Sequence, residues 1–137
     1  LNPVVPEGLL QMGMGTPAAM YNGGLLLSHV RYFDPMLKRP GLPRHVAALA
    51  EYVTADNIDL TFVNTDPVSS HRVLIQAGTF AEHEFTGASL DGEDIALDGR
   101  HVCIELDRSA KAHLHLKLKR FAHRPTYDLP DYDSAAS

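Results

Sequence analysis

The sequence predicts a mainly β protein, an antiparallel β-sandwich of about six to seven strands with one short helix and an irregular N-terminal lead-in. Three observations carry that reading. From Asn57 onward apolar and polar residues alternate with a period of two, the signature of strands with one buried and one wet face. Turn signals interrupt these runs about every 8 to 12 residues, as in sandwiches and small barrels. The long helical crossovers that a parallel sheet needs are missing from the pattern.

The elements follow in chain order. The opening LNPVVPEGLLQMGMGTPAAMYNGG has early prolines and late paired glycines, so residues 1–24 read as an extended, irregular lead-in. Such a segment has few ways of satisfying its own apolar residues, so it is expected to lie along another domain or chain. LLLSHVRYF is an apolar run of strand length that stops at Asp34-Pro35, and MLKRPGLP is a loop. In HVAALAEYV, Val46, Leu49, Ala50 and Val53 fall at i, i+3, i+4 and i+7, so the spacing predicts a short helix with Pro43 in its first turn.

IDLTFVNT restores the period of two, with Ile58, Leu60 and Phe62 on one face, and Thr65-Asp66-Pro67 supplies a turn. HRVLIQAGTF places Val73, Ile75 and Ala77 on one face. EHEFTGASL is the next strand, closed by Asp91-Gly92, a strong hairpin signal. A second Asp-Gly, Asp98-Gly99, precedes HVCIELD, where Val102, Ile104 and Leu106 alternate with Cys103 and Glu105. In KAHLHLKLKRFAHRP, Leu114, Leu116 and Leu118 form the core face, while His113, His115, Lys117 and Lys119 form an outward row. Residues 25–127 are therefore expected to make one sandwich domain, and residues 128–137 a polar tail whose last stretch, DYDSAAS, frays.

Composition narrows the function classes. The 137 residues carry a net charge of −5, concentrated in residues 51–110, with a small basic strip at 111–124. Duplex nucleic acid wants a continuous positive footprint, so a nucleic-acid partner is not expected. No run of about 18 apolar residues exists, so no membrane-spanning helix is expected, and no signal peptide of the usual order is visible. Cys103 is the single cysteine, which rules out an intrachain disulfide and a cysteine zinc cage. The chain starts at Leu1 without a methionine, which points to a removed start or a piece of a longer polypeptide, and its compartment stays open.

Candidate chemistry is sparse. His113 and His115 have a real metal-ligand spacing for a strand, but a third ligand would have to come from elsewhere, with His83 and Glu84 as the candidates. The cationic Lys117 and Lys119 in the same row argue for a solvated or interface face instead. GTFAEHEF and HLHLKL together resemble the first motif of the cupins, small metal-binding β-barrels, but Gly78 precedes only one histidine and HLHLKL has no following glutamate. Ser69-Ser70-His71 is a turn more than a catalytic pair, since adjacent residues on an extended chain point apart. No catalytic set and no cofactor are predicted. Tyr21, Asn22, His29, Arg31 and Tyr32, around one strand, form a candidate ligand or partner surface.

The run from IDLTFVNTDPVSSHRVLIQAG to HVCIELDRSAKAHLHLKLKRF, residues 57–121, resembles the C-terminal accessory β-sandwich modules of bacterial glycoside hydrolases and polysaccharide-active enzymes. There, a strand ending in Val-Asn and a small residue leads through a polar turn into a strand like HRVLI, and a closing hairpin alternates apolar residues. The turn DRSAK departs from the Pro-Gly turn common in such hairpins. The resemblance implies a non-catalytic module beside a larger catalytic domain or chain, and it transfers no catalytic residue. The expectation is an accessory domain, processed fragment or small subunit of a carbohydrate-active enzyme. The alternatives are a small metal-dependent, cupin-like β-barrel enzyme and a free-standing module that binds a glycan or a protein.

Overall fold

Strands whose residues alternate apolar and polar must bury one face, and the computed structural model, which describes residues 29–132, stacks those faces between two antiparallel sheets. The strands are β1 (Val30–Asp34), β2 (Arg39–Pro40), β3 (Val46–Val53), β4 (Asn57–Asn64), β5 (His71–Ala77), β6 (Glu84–Leu90), β7 (Glu93–Asp94), β8 (His101–Leu106) and β9 (Lys111–Lys119). One sheet has the order β2-β1-β5-β8 and the other β3-β4-β9-β6-β7. The sheets do not close on each other, so the molecule is a sandwich and not a barrel. Seven strands are long and two are two-residue stubs at sheet edges. No helix among the described residues is long and apolar enough to cross a membrane.

The expected core faces meet in one cluster. Ile58, Leu60 and Phe62 of β4 and Leu114, Leu116 and Leu118 of β9 pack with Val73, Ile75 and Ala77 of β5 and Val102, Ile104 and Leu106 of β8. Each of the Val, Leu, Ile and Phe side chains among them, taken fully out of water, contributes about 1.5–3 kcal/mol before entropy is charged against it. Asp91 (φ 51) and Gly92 (φ 89) both lie in the left-handed region and close β6 onto β7 through the Leu90–Glu93 pair, as the Asp-Gly signal predicts.

The helix expected over HVAALAEYV is absent: the segment is β3, an edge strand paired with β4 from Val46–Asn64 to Val53–Ile58. A bulge between Ala50 and Tyr52 explains the misleading spacing. Val46, Ala48 and Ala50 alternate inward, and the bulge then returns Val53 to the core side. Val46, Ala50 and Val53 thus mimic a period of 3.6 although every step is extended, while Leu49, the remaining position of that spacing, points outward and is exposed. Backbone pairing along β4 outweighs the helical preference of three alanines. Pro43 sits in a tight turn in which the N–H of Val46 donates to its carbonyl at 3.1 Å.

Asn64 joins the two sheets at one end of the core. It is buried, and its Nδ2 donates toward the carbonyls of Ser69, Leu106 and Asp107 at 3.0, 3.2 and 3.0 Å, while its Oδ1 accepts the N–H of Asp66 at 3.0 Å. The chain after β9 forms a strap along the 78–83 loop. The N–H groups of His123 and Thr126 donate to the carbonyls of Glu82 and Phe80 at 3.1 and 2.7 Å. The strap ends with Tyr132 buried against Phe33 and Leu74 on the outer face of the four-stranded sheet. Tyr132 belongs to the stretch expected to fray, and it is instead an anchor, because Phe33 and Leu74 point away from the main core and need a cover. The lead-in over residues 1–24 and the first residues of LLLSHVRYF lie outside the described residues.

Candidate functional site

The outward face of a sandwich strand holds every second residue, so β8 turns His101, Cys103 and Glu105 away from the core while β5 does the same with Arg72, Leu74 and Gln76. The register sets Gln76 opposite His101 and Leu74 opposite Cys103. Beside them the 95–100 loop and the end of the strap wall off a cleft of about 550 Å³, lined by Leu74, Ala96, Leu97, Asp98, His101, Cys103, Pro130 and Asp131. That volume is in the range of small-molecule sites, roughly 300–1,000 Å³.

The polar end of the cleft is built around His101. Gln76 donates through Nε2 to the carbonyls of Gly78 and Thr79 at 3.1 and 3.2 Å, so its Oε1 must face His101, whose Nε2 lies 3.1 Å away. An amide oxygen cannot donate, so the His101 proton is on Nε2 and Nδ1 keeps its lone pair. Gly78 (φ 94) permits this arrangement, since a Cβ there would collide with the Glu82 carboxylate. Asp98 reaches the same point from the turn before β8. Its Oδ1 accepts the N–H of His101 at 2.7 Å and lies 3.9 Å from Nδ1. Burial pushes the His101 pKa below the ordinary 6.5; the Asp98 carboxylate opposes that shift and Arg100 adds to it. Burial likewise raises the Cys103 thiol above 9.0, against the pull of Arg72, so at neutral pH it is an uncharged part of the floor.

The outward row of β9 is as expected: Leu114, Leu116 and Leu118 are buried, and His113, Lys117 and Lys119 are exposed with His115 half-buried. Its histidines are taken up by neighbours across the sheet. His115 Nδ1 lies 2.5 Å from Oδ1 of Asp59, and His113 Nδ1 lies 3.0 Å from Oγ1 of Thr61 and 3.6 Å from Oε1 of Glu51. His83 and Glu84 sit at the far end of β9, where Glu84 pairs with Lys119. His83 is buried and its Nδ1 accepts the N–H of Phe121 at 2.9 Å, while Glu84 Oε1 lies 3.0 Å from Nε2 of His123. The four candidate ligands are therefore not gathered into one centre. Among the described residues no group of three or more His, Cys, Asp or Glu is placed to hold a metal ion.

The candidate surface around β1 also divides. Tyr32 turns its ring into the core against Phe62, at 5.8 Å between centroids, and His29 is buried with Nε2 3.2 Å from the carbonyl of Ala55. Arg31 points the other way, over the ring of Phe33 at 5.0 Å. Tyr21 and Asn22 lie outside the described residues. Alternation along β1 would have separated Arg31 from Tyr32 in advance. The cleft had a fainter sign, Asp98-Gly99 placing His101 and Cys103 on one strand face, and only the register with Gln76 completes it.

No family model, curated protein or solved structure matches the chain.

Proposed function

We propose that the chain is a non-catalytic β-sandwich module that serves as the accessory domain, processed fragment or small subunit of a larger, carbohydrate-active enzyme. The observation that carries the reading is the strap after β9. Its backbone is pinned to the 78–83 loop at His123 and Thr126, and its end is anchored by Tyr132, yet it presents Phe121, Tyr127 and Leu129 at 69%, 86% and 59% exposure. Tyr127 stacks edge-on against Phe80 at 4.9 Å, and Phe121 does the same against His83, also at 4.9 Å. Apolar side chains held out on an ordered segment match what the centre of a protein interface needs, a preformed surface with little entropy left to lose.

The resemblance of residues 57–121 to modules of polysaccharide-active enzymes supports the choice of partner. So does the open cleft on the four-stranded sheet, whose apolar floor and hydrogen-bond acceptors suit a sugar. The polar pairs elsewhere act between neighbouring strands and loops: His71 with Asp66 at 2.9 Å, and His115 with Asp59 and His123 with Glu84 as described.

The test is to incubate the purified chain with a panel of glycosides and polysaccharides. No turnover above buffer is expected. Turnover that co-purifies with the chain and is abolished by a point variant of it would overturn the reading.

A further inference from the structure

Two hydrogen-bond acceptors face each other at the polar end of the cleft, and that arrangement asks for a donor. Nδ1 of His101 is unprotonated because Gln76 fixes the proton on Nε2, and the Asp98 carboxylate stands 3.9 Å from it, too far for a bond between them. Asp131 also lines the cleft, and no Lys or Arg is among its described lining residues, although Arg100 acts on His101 from the neighbouring position. The floor and flanks are apolar: Leu74, Leu97, Cys103 and Pro130. A ligand matching these features carries a cation with N–H donors at one end and an apolar face bordered by hydroxyls.

We propose that the cleft is a binding site for an amino sugar, its ammonium group seated between Nδ1 of His101 and the carboxylate of Asp98 and its ring face lying over Leu97, Cys103 and Pro130. The charged hydrogen bond to Asp98 supplies discrimination, since such bonds are about twice as strong as neutral ones. The inference rests on the carbohydrate-associated reading above for the choice of a sugar, while the donor requirement comes from the cleft alone.

The experiment is a titration of the full chain, followed by ¹H–¹⁵N correlation spectra at neutral pH, with glucosamine, glucose and glucuronate in separate arms. Glucosamine should give saturable shifts confined to residues 96–103 and 130–131. Glucose should bind roughly tenfold more weakly, equivalent to about 1.4 kcal/mol, and glucuronate should give no saturable shift. Asp98→Asn keeps an oxygen that can accept the N–H of His101, so the turn survives, and it should bring glucosamine down to the glucose level. Glucosamine shifts that do not saturate at these residues would overturn the site, as would equal binding of glucuronate or unchanged affinity in a well-dispersed Asp98→Asn spectrum. A flat titration with no turnover by the chain removes this site and leaves the accessory reading. Saturable glucosamine shifts together with turnover by the chain alone do the reverse.

Discussion

His101 and Gln76 share a hydrogen bond of 3.1 Å across the β5–β8 ladder, and that bond decides which nitrogen of the imidazole faces the cleft. Burial holds His101 neutral in the folded state, whereas the unfolded chain protonates it near the ordinary 6.5. The folded-state pKa is the lower one, so this residue's contribution is intact above 6.5 and declines as pH falls through that value toward the folded pKa. Urea denaturation of wild type and His101→Gln at about pH 7.5 and 5.5 isolates the effect, because the other histidines are common to both proteins. Wild type should lose more stability than the variant between those two pH values. Equal losses would show that His101 titrates as in the unfolded chain.

Asp66 acts in the same direction at lower pH. Its carboxylate accepts the N–H groups of Val68 and Ser69 at 2.9 and 3.2 Å and pairs with His71, which together hold its pKa at about 2, below the usual 3.8. The stabilisation is present above 3.8 and is lost as pH falls toward 2. A direct chemical-shift titration of the Asp66 carboxyl should find its midpoint at about 2, below the usual 3.8. A midpoint at the ordinary value would show that the Asx-type turn opens in solution.

Asn64→Ala should cost about 2–3 kcal/mol. It removes one buried amide that serves three carbonyls and one N–H, and leaves groups buried between the β4–β5 loop and the β8–β9 turn without their partner. Guanidinium unfolding measures it. A change under about 0.5 kcal/mol, the range of ordinary surface substitutions, would mean the joint between the sheets is not held there.

The two faces of β9 should differ sharply in the same assay. Leu116→Ala opens a cavity in the middle of the core and should cost about 2–5 kcal/mol, while His115→Ala removes a half-exposed pair with Asp59 and should cost less than about 1 kcal/mol. Comparable costs would mean that something covers the outward row.

Most of this fold could be read from residue alternation. The core faces of β4, β5, β8 and β9 and the Asp91-Gly92 hairpin follow from period and turn chemistry alone. The helix expected at 45–53 failed because a single bulged residue turns a period of two into apparent helical spacing, and no local signal marks a bulge without its partner strand. Tyr132 departs from expectation for a related reason: a short polar stretch gives no local sign of an anchor, which depends on Phe33 and Leu74 pointing outward together. The cleft was the least legible feature. Asp98 bonds His101 within its own turn, but Gln76 comes from another part of the chain, and only the β5–β8 register brings it within bonding distance of His101.

The central claim is that this module works against a larger catalytic partner, and the mass of the protein isolated untagged from its own source, under non-denaturing conditions, tests it most directly. The expected species is heavier than the 137-residue chain, and in it Tyr127 and Leu129 are protected from hydrogen exchange relative to the isolated chain. A stable monomer of 137 residues that turns over substrate on its own would contradict the claim.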